Sequence, residues 1–263
     1  MYAFTYERPS STADAAKLAA AGAKVLAGGQ TLLASMKLRL SNPEQLADLG
    51  GIAELSGIKR EGNNLVIGAM TRHADVATNP DVKAAIPALA DLAGHIGDRQ
   101  VRTMGTLGGS VANNDPAACY PSAVLALGAT VNTTQRKIAA DAFFTGMFST
   151  ALNDGELITS ISFPIPKRAA YMKFKQAASR FALVGVFVAQ TDAGVRVAVT
   201  GAGNGVVRHK GLEDALGKSF TPEAAAAVKI DASGLSSDIH ASAAYRANLI
   251  GVQAQRAVAK ALA

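Results

Sequence analysis

The chain has 263 residues, 49% of them apolar, with a formal net charge of +6 and a single cysteine. That length supports two modest cores, since domains usually hold about 100 to 200 residues, and one cysteine excludes an internal disulfide and any iron–sulfur or cysteine-rich zinc centre built from this chain alone. The basic residues are scattered, with no dense run interleaved with aromatics, which argues against nucleic acid and for a solvated surface or an acidic protein partner.

The start of the chain, Met1 to Pro9, lacks a basic region followed by an apolar signal core, and no stretch approaches the roughly 20 apolar residues that span a bilayer. A cytoplasmic chain with no transmembrane segment is expected. From Ser11 to Ala21 strong helix formers run up to Gly22, a plausible helix stop. Lys24 to Ala27 reads as a short buried strand that enters the pair Gly28-Gly29, and Leu32 to Leu40 then carries apolar and basic residues at helical spacing. Gln45 to Leu49 and Asn64 to Gly68 read as strands, and Val82 to Ile96 as helical with a break or start near Pro87. After a second glycine-rich stretch, Gly105 to Ser110, Tyr120 to Gly128 is apolar and compact, and Ala129 to Thr133 is β-like.

Composition shifts at Ile161 to Arg168, where Pro164 and Pro166 end a strand and fix an extended connector. This places a domain boundary between 166 and 167. Beyond it, Ala182 to Gln190 and Val195 to Thr200 flank the hairpin signal Asp192-Ala193-Gly194. Thr221-Pro222-Glu223 marks a helix start, and Ile239 to Leu262 reads as a long terminal helix, so the second domain is a small sheet with helices.

The two glycine segments carry the chemistry. Ala27-Gly28-Gly29-Gln30-Thr31-Leu32 lies between a strand and a helix, where bare backbone N–H groups converge on an anion and Thr31 adds a hydroxyl. The Gly-Lys-Ser/Thr ending of a Walker loop and the third glycine of a dinucleotide fingerprint are both missing. Gly201 to Val206 fails the same fingerprint, because Val206 stands where glycine or alanine is needed, and reads as a strand-end turn. The stretch from Thr106 to Pro116 sets short polar side chains around Gly108-Gly109, suited to a ligand with phosphates and a polyol. The four histidines, His73, His95, His209 and His240, form no metal-like pair and read as surface or capping residues, and Cys119 as a small packed residue. No catalytic residue and no metal ligand is assigned.

Together, Ala27 to Leu32 and Thr106 to Asn113 resemble the paired FAD-binding motifs of the medium subunit in the xanthine dehydrogenase and carbon monoxide dehydrogenase family of molybdenum hydroxylases. The resemblance extends through Glu156-Leu157-Ile158, Tyr171 to Lys175, Leu183 to Val186 and Tyr245-Arg246. It implies an α+β fold: an FAD domain of two α/β subdomains, similar to vanillyl-alcohol oxidase, over residues 1–166, and a small antiparallel sheet with helices over 167–263. It implies further that Ala27, Gly28, Gly29, Gln30, Thr31 and Leu32 hold the pyrophosphate. Thr106, Gly108, Gly109, Ser110, Asn113 and Asp115 would line the flavin and its ribityl chain, Leu157 and Ile158 would pack against the cofactor, and Lys175 would lie near it.

Two stretches depart from the pattern. Relatives often carry Ala-Asp within the stretch that is Ala117 to Tyr120 here, and an acid within the stretch Ser179-Arg180-Phe181. The implied partners are a large subunit with the molybdenum cofactor and a small subunit with [2Fe–2S] clusters, in a dimer of heterotrimers. Electrons would pass from the clusters to FAD and on to an external acceptor. A self-contained flavin oxidoreductase and a non-catalytic assembly subunit are the competing readings.

Overall fold

The computed structural model describes all residues from 1 to 263, arranged as three main sheets, separated by helical layers, and a two-stranded ribbon. The first unit is a small parallel sheet. β1 (Thr5–Glu7), α1 (Thr12–Ala20), β2 (Lys24–Leu26), α2 (Leu32–Lys37) and β3 (Gln45–Asp48) give the strand order β1-β3-β2. The Ser11 side chain caps α1 by accepting from the Asp14 N–H, and Gly22 turns the chain at φ +101°. α2 stops at Lys37, shorter than its apolar pattern suggests, because Arg39 adopts φ +60° and leaves Leu38 and Leu40 exposed.

The second unit begins with the hairpin β4 (Ile58–Glu61) and β5 (Asn64–Gly68). A helical run follows: α3 (His73–Thr78), α4 (Pro80–Ala85), α5 (Pro87–Gly94), α6 (Arg99–Met104), α7 (Leu107–Asn113) and α8 (Tyr120–Ala126). The break expected near Pro87 is found: the helical stretch is divided there into α4 and α5, because the proline ring cannot continue the preceding helix. β6 (Thr130–Thr133), β7 (Lys137–Ala139), α9 (Ala140–Phe143), β8 (Phe144–Gly146), β9 (Ser149–Thr150) and β10 (Ile158–Pro164) complete it. β4-β5-β10-β6-β7 form an antiparallel sheet with its apolar face against the helices, in a core of Leu65, Ile67, Leu89, Leu107, Val124, Ile161 and Phe163.

The third unit is the antiparallel sheet β11 (Arg168–Lys175), β12 (Ala182–Thr191), β13 (Gly194–Thr200) and β14 (Val207–Arg208), with α10 (Lys210–Lys218), α11 (Pro222–Ala226) and α12 (Ala243–Leu262). β12 is apolar along most of its length because both its faces are covered. Phe187 and Ala189 join the core of the second unit, while Val184, Val186 and Val188 face Leu249, Ile250, Ala254 and Val258 of α12. The 192–194 hairpin and the Thr221 cap form as their sequences indicate. α12 starts four residues later than its composition suggests, where Ser242 caps it by accepting from the Tyr245 N–H. No helix is long and apolar enough to cross a membrane.

Arg246 fastens α12 to this sheet. Only 3% exposed, it donates to the carbonyls of Leu183 and Gly201 at 2.9 and 2.8 Å and pairs with Asp238 at 2.7 Å. Arg246→Met keeps the buried bulk and strands the two carbonyls. It is expected to lower stability by about 2 to 3 kcal/mol in urea unfolding.

Candidate cofactor-binding site

The two glycine segments, about 75 residues apart in sequence, meet back to back. Position 28 admits only glycine, because a Cβ there would lie 2.1 Å from the Met104 carbonyl oxygen and 2.7 Å from the Gly105 Cα. A Cβ on Gly109 would lie 3.4 Å from the Ala27 Cβ, so the second segment stacks directly on the first. Gly29 holds φ +71°, which turns the chain from β2 towards α2.

The two segments offer different chemistry. The backbone N–H groups of Gly28, Gly29, Gln30 and Thr31 meet no acceptor in the chain, while the Gln30 side chain closes back on the Gly28 carbonyl at 2.9 Å. Four consecutive unpaired donors at the start of a helix form a nest for an anion. In the second segment the amides are already used. Leu107 and Gly108 donate to Thr71 and Ala69, Gly109 to the Thr106 hydroxyl at 3.1 Å, and Ser110 to the Thr106 carbonyl. What it presents is side chains, the half-buried Ser110 and Asn113, neither bonded within the chain.

Other expected site residues have structural partners of their own. Asp115 accepts from the Ala117 N–H at 2.8 Å and shapes the turn that leaves the second segment. Asn114, left-handed at φ 43°, donates to the carbonyls of Gly146 and Ser149. Leu32 opens α2, half-buried. Leu157 is packed with Ala15, Leu49, Ile52 and Leu55 of the first unit, and Ile158 lies in the core of the second. Lys175 ends β11, exposed and in no ion pair. A cavity of about 1270 Å³ lies elsewhere. It is an open polar cleft between α1 and the outer face of the five-stranded sheet, and no residue of either glycine segment lines it.

His73 corrects the expectation that the histidines are surface or capping residues. His209 does cap α10 and His95 is exposed, but His73 is only 4% exposed, its ring tilted against that of Tyr120 at 5.3 Å between centroids, with its Nδ1 unpartnered. A Cβ on Gly105 would lie 2.6 Å from its Nε2, so it packs directly behind the second segment. A lone histidine gives no burial signal in sequence, and only its place at the start of α3 makes it internal.

The chain has relatives that show its family. A family model described as the FAD binding domain in molybdopterin dehydrogenase matches residues 2–166. The chain is 35% identical to the carbon monoxide dehydrogenase medium chain of Hydrogenophaga pseudoflava, over 97% of this chain and 96% of that one. It is 36% identical to the nicotine 6-hydroxylase medium subunit of Paenarthrobacter nicotinovorans, over 98% and 97%. Its fold superposes on reconstituted CO dehydrogenase from Oligotropha carboxidovorans with a TM-score of 0.91 at 33% identity, covering 98% and 97% of the two chains. The paired motifs and the fold define a flavin-binding subunit of a multi-subunit oxidoreductase. The chain belongs to the family of FAD-binding medium subunits of molybdenum hydroxylases.

Burial, reinforced by the charge of Arg102, pushes the His73 imidazole down to about 4. The neutral ring is therefore the folded form, and its contribution is whole above the unfolded value near 6.5 and lost as pH falls towards 4. His73→Gln is expected to flatten this part of the acid limb, removing about 3 kcal/mol of pH dependence between pH 6.5 and 4 in denaturation curves.

Proposed function

We propose that Ala27 to Leu32 cradle the pyrophosphate of FAD, and that Thr106, Gly109, Ser110 and Asn113 line its ribityl chain and flavin. The observation that carries this reading is the row of free amides at Gly28 to Thr31 set against the polar face of the second segment. Anionic phosphates suit unpaired backbone donors beside a helix start, and ribityl hydroxyls suit Ser110 and Asn113. Bound FAD supplies the redox chemistry, because a flavin can take electrons singly and release them in pairs. The protein's part is to bind, orient and shield it. Gly108 sits one layer back, packed on Ala69, and Asp115 shapes the turn, so both act on the cofactor through the backbone.

The reading continues to the assembly. A large subunit with the molybdenum cofactor and a small subunit with [2Fe–2S] clusters deliver the electrons, in a dimer of heterotrimers in the cytoplasm. The chain's one cysteine supports placing the clusters on a partner. The domain boundary lies at 166/167, supported by the end of the family match at 166 and the start of the third sheet at Arg168. Relatives of nearly equal identity are named for carbon monoxide and for nicotine, which supports a reducing substrate selected on another chain.

The test is the visible spectrum of the full chain with added FAD, and the mass of the cofactor it releases. A flavin spectrum with released FAD is expected. Gly29→Val forces a branched side chain into positive φ and is expected to weaken binding about tenfold or more. Ser110→Ala is expected to weaken it about fivefold. A chain that stays colourless with FAD, alone and with its co-expressed partners, would overturn the reading.

A further inference from the structure

A smaller cavity, of about 440 Å³, lies at the boundary between the second and third units. One wall is β8 of the two-stranded ribbon, with Asn114 bonded to it through the Gly146 carbonyl, and the other is the glycine-rich stretch Ala202 to Val206 that follows β13. Ligand clefts of about 300 to 1,000 Å³ are common where domains meet. None of the residues assigned above to the cofactor lines this cavity.

The lining combines three kinds of group. Val199, Leu235 and Ile250 extend the apolar core of the third unit into it. Its donors are neutral. No backbone N–H from Ala202 to Val206 has an acceptor in the chain, although Ala202 and Val206 are themselves buried, and unpaired donors of this kind favour an oxygen brought from outside. His209 accepts on Nδ1 from the Leu212 N–H at 3.2 Å, and burial holds its imidazole below the ordinary value, so the ring is neutral and carries its proton on Nε2, which has no partner. Two acceptors complete the lining. Asn114 is 1% exposed and its Oδ1 has no partner, while the exposed Asp231, which accepts from Ser233, is the one charged residue among them. With a carboxylate and no cation, the cavity is unsuited to phosphate or another small anion. It suits a flat, neutral molecule with one strong acceptor, one N–H and a hydrocarbon remainder.

We propose that this cavity is a binding site for a small ring compound that carries a cyclic amide. The carbonyl oxygen of the ligand accepts from the 202–206 stretch and from His209, its N–H meets one of the two acceptors of the lining, and its ring lies on Val199, Leu235 and Ile250. The site is separate from the proposed cofactor site and does not depend on the FAD reading. Gly205 gives access to the space. A Cβ there would meet no atom within 4 Å, and the residue lies outside the left-handed region, so a side chain can be added without backbone strain.

The experiment is isothermal titration of the full chain with carbostyril, a two-ring lactam, with and without saturating FAD. A dissociation constant of about 100 μM is expected, unchanged by FAD. Gly205→Phe puts a ring into the cavity and is expected to weaken binding about tenfold or more. His209→Asn keeps a capping side chain on α10 and withdraws the Nε2 donor, for an expected loss of about fivefold. N-methylcarbostyril, which keeps the carbonyl and lacks the N–H, is expected to bind about fivefold more weakly than carbostyril. No heat at millimolar carbostyril overturns the proposal and leaves the cavity a packing gap between units. Displacement of carbostyril by FAD also overturns it, by placing the ligand in the cofactor site. So does wild-type affinity in Gly205→Phe or, should that variant fail to fold, in His209→Asn. Equal binding of the N-methyl compound overturns the recognition of a cyclic amide.

Discussion

The site depends on one steric fact, that the chain at Gly28 lies against the backbone of Met104 and Gly105 with no room for a side-chain atom. The parallel sheet of the first unit and the helices of the second share little core beyond this seam. The first unit's own buried cluster comprises Ala15, Leu49, Ile52, Leu55 and Leu157, the last contributed from the far end of the second unit. Backbone pressed on backbone therefore sets where β2 points, and so where its trailing amides lie. With the seam closed, the turn at 28–31 follows a residue, Ala27, that lies against Gly109 of α7; a methyl group at 28 would force the two segments apart.

The division of labour between the segments follows from their hydrogen bonding. The first leaves its amides free because it is a turn at a helix start, and turns of this kind keep their donors. The second spends its amides on Thr71, Ala69 and Thr106, which fixes α7 against the sheet and leaves only side chains to recognise a ligand. On the proposed reading, charge recognition falls to one segment and polyol recognition to the other. The same economy explains His73, a neutral ring used as packing behind Gly105, where a charged one would be costly.

Much of this was legible in the sequence because the signals were local. Ser11, Gly22, the 192–194 turn and Thr221-Pro222 act on their own neighbours, and each is found doing so. What escaped was set by distant contacts. β1 and β4 are short edge strands, exposed along almost their whole length, so no apolar alternation marks them. The glycine-rich stretch 105–110 has poor intrinsic helix propensity, yet α7 begins at Leu107, held by the Thr106 cap and by bonds to residues nearly forty positions earlier. The meeting of the two segments was foreshadowed by their composition. The crossing of Gly28 over Met104 could be seen only once the chain was folded.

The third sheet is also attached to the second segment. The Thr200 hydroxyl lies within hydrogen-bond reach of the carbonyls of both Pro116 and Ala118, at 2.8 and 2.7 Å, and the Gly201 N–H donates to Pro116 at 2.7 Å. Through these contacts the stretch just beyond Asn113 and Asp115 is clamped to the end of β13. By reciprocity, a ligand that steadies this stretch must also steady the sheet, and a loosened sheet must lower the ligand's affinity by the same free energy. On the proposed reading, residues 167–263, which supply none of the proposed phosphate donors, are thereby made thermodynamic partners in holding the cofactor.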